Sequence, residues 1–242
     1  MTTNLKKRCL QCSVKFAPKR SDQKFCSDKC RVYYSRNIHN SKVTDKLSNS
    51  DKVILSLCDF SGVWSAPYKK AGYDVVKIDI KTGVDVRLLK FPEKVYGVLA
   101  APPCTHFSAS GAMHWKQKGE QALLEGLSVF DACARIILFS EPSFWVFENP
   151  VGRLRDYIGS PVWIFDPYQY GDYYTKKTCL WGKFNIPELG NFPKPKPSLP
   201  GHHSVDDYWR RKGKILGNDE SRSAFRSITP DGFAKAFFNV NQ

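Results

Sequence analysis

The chain of 242 residues can bury one sizeable core plus a small appendage, and no apolar run approaches the ~20 residues needed to cross a bilayer. Lys and Arg number 37 against 23 Asp and Glu, a formal net charge of +14. That excess points to a polyanionic partner and away from a membrane protein.

Residues 1–8 are polar and basic with no apolar stretch behind them, so no secretory leader is expected. Of the 8 cysteines, four crowd into Cys9-x-x-Cys12 and Cys26-x-x-x-Cys30 and the rest are scattered. This is metal-ligand spacing rather than a disulfide framework, and it implies a reducing, cytoplasmic setting. Two thiolate pairs supply the four tetrahedral ligands that zinc requires. The loop between them is too polar to fold alone, so residues 1–40 are expected to form a zinc-binding module closed by four sulfurs. Basic side chains interleaved with Tyr33 and Tyr34 suit contact with a phosphate backbone. Residues 41–51 read as a polar linker, leaving 52–242 as the main domain.

Val53 to Leu57 is a buried strand running into Cys58-Asp59-Phe60-Ser61-Gly62. A short helix over 66–71 and a second strand ending in Asp79 complete a βαβ layout, with the acid placed for ribose hydroxyls. The next strand, 95–100, must stop at Pro102-Pro103, which sets Cys104 on a stiff turn at a carboxyl strand end. A helix is expected over 121–139, stopped by Glu141-Pro142. The strand that follows, 144–147, ends on Glu148. A thiol and an acid at the ends of two strands form a candidate reaction centre. Two further strands are expected near 162–165 and 178–181, around Lys176.

Residues 187–226 form a basic, proline-rich segment, extended over 187–200. Arg210-Arg211-Lys212-Gly213-Lys214 and Arg222 to Arg226 are expected along a phosphate track, and His202-His203 at the surface. A closing helix over 229–238 turns its phenylalanines inward.

Several of these residues carry a resemblance. Pro102-Pro103-Cys104-Thr105-His106-Phe107-Ser108-Ala109-Ser110-Gly111 resembles the catalytic loop of the DNA cytosine-5 methyltransferases, Pro-Pro-Cys-Gln-x-Phe-Ser-x-x-Gly, and Glu148-Asn149-Pro150 is similar to that family's Glu-Asn-Val. Phe60-Ser61-Gly62 resembles its S-adenosylmethionine loop, although Trp64 and Ser65 stand where the family has two more glycines. Gly83-Val84-Asp85-Val86 resembles the adenine-contacting segment. Gln169 to Thr178 resembles Tyr-Gly-x-Pro-Gln-x-Arg-x-Arg, with Lys176 and Thr178 at the arginine positions. No counterpart of the family's large target-recognition region or of its Gly-Asn-Ser-Val segment is found.

The resemblance implies an α/β fold: a Rossmann-like methyltransferase sheet with helices on both faces, beside the zinc module. It implies S-adenosylmethionine held by Phe60, Ser61, Gly62, Asp79, Asp85 and Pro102. Cys104 would be the nucleophile on C6 of a flipped cytosine and Glu148 the partner of N3. Pro103, Asn149, Lys176 and Thr178 would lie on the DNA side. The expected protein is a monomer acting on DNA, away from membranes. Two other readings share these residues: a non-catalytic zinc-bearing nucleic-acid binder on a decayed scaffold, and an RNA cytosine methyltransferase.

Overall fold

The computed structural model describes residues 6–11, 14–32, 48–90, 92, 94–196, 204–213 and 219–242. It divides into two units, Met1–Ser48 and Asn49–Gln242. In the first, β1 (Lys7–Arg8) pairs antiparallel with β2 (Lys15–Phe16). Cys9 leaves β1 buried, its N–H donating to Val14 O at 2.9 Å. Leu10 N–H reaches Lys24 O at 3.1 Å, which draws the second cysteine pair toward the hairpin.

In the second unit, β-branched and apolar runs make the sheet strands. These are β3 (Val53–Leu57), β4 (Asp74–Ile78), β5 (Val95–Ala100), β6 (Phe144–Pro150), β7 (Trp163–Phe165) and β8 (Thr178–Lys183). Their spatial order is β4-β3-β5-β6-β8-β7. The first four are parallel, and β8 runs antiparallel to both β6 and β7. The strand order reverses between β3 and β5, so a crevice opens outside their carboxyl ends. This is a Rossmann-like α/β sheet.

Both faces of the sheet are covered, as its near-continuous apolar strands require. Ile54 points to one face while Leu55 and Leu57 point to the other. On the Leu55 side lies α2 (Trp115–Ser140), burying Phe130, Cys133, Ile136 and Ile137. On the Ile54 side lie α1 (Ala66–Lys70) and, from the end of the chain, α6 (Asp231–Val240) with Phe233 and Phe237. A short helix, α3 (Arg155–Ile158), follows β6. No helix among the described residues is long and apolar enough to cross a membrane.

Three elements differ from the sequence expectation. The helix expected over 121–139 begins at Trp115, with a non-helical break at Gly119 (φ 72°, ψ −173°) joining a first turn to the main rod. Its end is as expected: Glu141 takes the left-handed conformation (φ 44°) and Pro142 forbids another turn. The segment 187–226 is not uniformly irregular, for it contains α4 (Ser204–Arg211) and α5 (Asp219–Ser227). In α4, Asp206 and Asp207 occupy the first turn and Arg210 and Arg211 the last, matching the helix dipole. His202 and His203 lie outside the described residues.

Trp64 is turned wholly into the core, 0 % exposed, with its ring 6.0 Å from Phe233 and 5.9 Å from Phe237. Tyr68 on α1 donates to Asn241 O at 2.8 Å, and Asn241 exchanges hydrogen bonds with Asn185. The turn after β3 is thus buttressed by the last helix. Trp64→Ala should lower the unfolding free energy by about 3–5 kcal/mol. Urea denaturation should show an earlier midpoint at unchanged slope; an unshifted midpoint would contradict this packing.

Candidate active site

Three loops meet at the carboxyl edge of the sheet: those after β3 and β5, and the one that enters β8. In the first, Asp59 is buried and accepts from Ser56 Oγ (2.8 Å), Ser61 Oγ (2.9 Å), Gly62 N (2.8 Å) and Ser65 Oγ (3.3 Å). One carboxylate therefore ties the whole turn. Gly62 has φ +68°, the left-handed region that favours glycine. Phe60 is left 55 % exposed beside the crevice, with Lys81 Nζ 5.2 Å from its ring centre. Trp64 and Ser65 do not fill the crevice. The indole is in the core and Ser65 Oγ serves Asp59, so the turn keeps its shape without the extra glycines.

At the end of β4, Asp79 is half-buried and caps a short turn through Lys81 N (2.9 Å), while Ile80 beside it is exposed. Asp85 is engaged differently. Arg87 closes on both of its oxygens, Nη2 at 2.7 Å and Nε at 3.0 Å, and Arg87 also meets Glu125 at 2.7 Å. That pairing, with the Arg87 backbone N–H, holds the Asp85 carboxyl below the usual carboxylate range.

Cys104 sits four residues beyond β5 and Glu148 lies within β6, and the structure brings them together with Lys176. Pro102 is buried, and its carbonyl accepts from Asn149 Nδ2 at 2.8 Å; Pro103 is exposed. Asn149 is fully buried and its Oδ1 has no hydrogen-bond partner among the described residues. Lys176 Nζ is 3.8 Å from Glu148 Oε1, an ion pair too long for a hydrogen bond, and it donates to Arg226 O at 2.8 Å. The Glu148 and Lys176 side chains are only 13 % and 17 % exposed. Thr178, fully buried, spends its hydroxyl on Lys176 O at 2.9 Å, so it supports Lys176 and does not face the opening.

Burial pushes the Cys104 thiol up; the Lys176 cation works against that rise and the Glu148 charge adds to it. Burial also raises the Glu148 carboxyl, again opposed by Lys176. A carboxyl raised in this way can carry a proton near neutrality and give it up to a buried acceptor.

The loop after Cys104 is pinned from below. Arg153 Nε donates to His106 O at 2.7 Å, Arg153 N to Phe107 O at 2.9 Å, and Ser108 bridges Gly152. A Cβ on Gly152 would lie 1.9 Å from Phe107 O, so the two backbones touch. Asp59 and Arg153 are site-building residues that sequence reading left without a role, and Arg226, expected along a phosphate track, instead gives its guanidinium to Asp206 and its carbonyl to Lys176. Of the first two, only Asp59 left a signal, as an acid at a strand end before a glycine turn.

In the first unit, one ligand sulfur each from Cys9, Cys26 and Cys30 lies within 4.8 Å of the other two, with Cys26 and Cys30 3.6 Å apart. Four sulfurs at about 2.3 Å from a tetrahedral zinc stand about 3.8 Å from one another, so this spacing fits the ion. Cys12 lies outside the described residues.

Residues 62–157 match the family model described as C-5 cytosine-specific DNA methylase. No curated protein matches the chain.

The charge balance around Cys104 yields opposite shifts from two neutral substitutions. The thiolate is the reactive form. Lys176→Met removes the charge that lowers the thiol pKa, so alkylation of Cys104 should begin at higher pH than in the wild type. Glu148→Gln removes a charge that raises it, so alkylation should begin at lower pH. Peptide-resolved mass spectrometry of iodoacetamide labelling across pH reads both; two profiles moving the same way would refute the arrangement.

Proposed function

We propose, from the match of residues 62–157 to the family model described as C-5 cytosine-specific DNA methylase, that the chain is a member of that family and transfers a methyl group from S-adenosylmethionine to C5 of a cytosine in DNA, through a covalent bond from Cys104 to C6 of a base swung out of the helix. The observation that carries this reading is the convergence of Cys104, Glu148 and Lys176 on one buried spot at the sheet's carboxyl edge.

C5 of cytosine is a weak nucleophile within an aromatic ring. Cys104 as thiolate adds to C6 and breaks that aromaticity, while the Glu148 carboxyl donates its hydrogen to N3 so that negative charge does not collect there. Moving one proton from sulfur to the carboxylate converts the resting pair into the reactive pair with no net change in buried charge. Lys176 limits the cost of either ionised form, since it faces both groups. C5 then takes the methyl group, a base removes the C5 proton, the Cys104–C6 bond breaks and N3 returns its hydrogen to Glu148, which restores the ring, the thiolate and the carboxyl. The target atoms are unreachable in stacked duplex, which is why the base must leave the helix.

S-Adenosylmethionine, when bound, supplies an electrophilic methyl group. The crevice fits it: Phe60 and Ile80 offer exposed apolar faces, Asp79 keeps one carboxylate oxygen for a ribose hydroxyl, and the turn of Ser61 and Gly62 is rigid and free of bulk. Pro102 borders the same crevice by its place after β5. Asp85 would reach adenine only by sharing its carboxylate with Arg87.

The first unit is read as a structural zinc module of Cys9, Cys12, Cys26 and Cys30 that adds contact to DNA. Nine basic side chains against Asp22 and Asp28 among its residues 6–32 support that role.

Two measurements test these readings. With labelled S-adenosylmethionine and cytosine-containing DNA, Cys104→Ala should transfer nothing while retaining cofactor binding, and Glu148→Gln should lose about 10²–10⁴-fold in rate. Transfer by Cys104→Ala would remove the nucleophile, and DNA binding by the wild type without transfer would leave a binding protein. Metal analysis of reduced, freshly purified protein should find close to one zinc per chain, and substantially less would reject the module.

A further inference from the structure

A cleft of about 470 Å³ opens beside the catalytic edge, between the segment leading to Lys176, the end of α4 and the start of α6. Pockets that take small ligands run from about 300 to 1,000 Å³, so this one can admit a nucleotide-sized group. Its walls include Tyr173, Tyr208, Arg211, Lys212, Asp172 and Lys235.

The charges in this cleft are not all spoken for. Lys235 is paired with Asp231 at 2.8 Å. Asp172 is buried and accepts from Gly232 N at 2.8 Å and Tyr208 OH at 3.3 Å; burial raises its carboxyl. Neighbouring cations are also committed, with Arg226 bound to Asp206 at 2.7 Å and Arg210 near Asp207 at 3.7 Å. Arg211 and Lys212 remain exposed with no carboxylate partner among the described residues. Each is held over an aromatic ring, Arg211 at 5.7 Å from the centre of Tyr173 and Lys212 at 5.6 Å from that of Tyr208. Tyr173 itself is 48 % exposed.

Behind the cleft wall, one buried ring stands between Tyr208 and the Glu148 carboxyl. Tyr174 is buried against Tyr208, ring centres 4.7 Å apart, and it feels the charge of Glu148. Lys176 follows two residues later and is tied to α5 through Arg226 O. Two uncompensated cations beside an exposed tyrosine suit a phosphate with an adjoining base. A free inorganic anion would use the cations and leave the tyrosine face idle.

We propose that this cleft binds the DNA strand next to the target cytosine, Arg211 and Lys212 meeting a backbone phosphate and Tyr173 the neighbouring base. The inference rests on the reading that the chain acts on DNA, and it assigns that substrate a second subsite outside the catalytic edge.

The test uses the full chain and a fluorescein-labelled, cytosine-containing duplex, read by anisotropy across a salt series, with methyl transfer measured in parallel. In Arg211→Ala/Lys212→Ala the dissociation constant should rise, and the slope of log affinity against log salt should shrink by about 1–2. KM for DNA should rise while kcat at saturating DNA holds. Tyr173→Ala should weaken binding about tenfold with the salt slope intact, which separates stacking from charge. Unchanged affinity and slope in the double variant overturn the proposal, as does competition by inorganic phosphate as effective as that by unlabelled oligonucleotide. If the wild type methylates DNA and the double variant behaves identically, the subsite fails and the catalytic reading stands. If binding depends on Arg211 and Lys212 but no methyl is transferred, the subsite stands and the catalytic reading fails.

Discussion

The register of two parallel strands governs the sheet edge where Cys104 and Glu148 stand. Ala100 of β5 lies opposite Phe147 of β6, so the loop that leaves β5 must pass the residues that follow Phe147. Asn149 fixes that passage by donating to Pro102 O from a fully buried position. Because side chains alternate along a strand, Asn149 and Glu148 point to opposite faces. One braces the loop and the other is free to look across at Cys104. A buried amide with a single partner costs free energy wherever it is displaced, so the spacing between sulfur and carboxyl is held by the sheet itself.

On that frame the electrostatics follow from burial. A thiol and a carboxyl, both withdrawn from water, are each pushed toward their neutral forms, and Lys176 opposes the push on both. A guanidinium at this position would present a planar fork. The ammonium of Lys176 offers a point charge with three rotatable donors, and it uses one of them on Arg226 O. Lys176 is therefore coupled to the α4–α5 pair through a main-chain carbonyl, a link that does not depend on the arginine's own charge, which goes to Asp206.

Much of this was readable in the sequence because it is local. The apolar runs that end at Asp79, Pro102 and Glu148 mark strand ends by composition alone, and the stiffness of Pro102-Pro103 dictates a turn wherever the chain goes. What escaped was long-range. Nothing near Trp64 says whether an indole in a cofactor turn blocks the crevice or leaves it; the answer lies in Phe233 and Phe237, far along the chain. Helix α4 reads as a polar, charged stretch, and its stripe of Val205 and Tyr208 becomes meaningful only once Tyr174 is there to receive it. Asp85 had the right position for a ligand contact, yet Arg87, two residues away, occupies it. Spacing can nominate a carboxylate but cannot tell who reaches it first.

The clasp among Trp64, Tyr68, Asn185 and the helix ending at Asn241 bears on how the molecule is made. Residues 231–241 leave the ribosome after every strand of the sheet, yet they cover the face on which Trp64, Tyr68 and Phe144 lie. Until they arrive, that aromatic surface is open to water and to other nascent chains. Closure of that face, and with it the buttress behind the turn after β3, therefore depends on a helix far in sequence from the strands it covers.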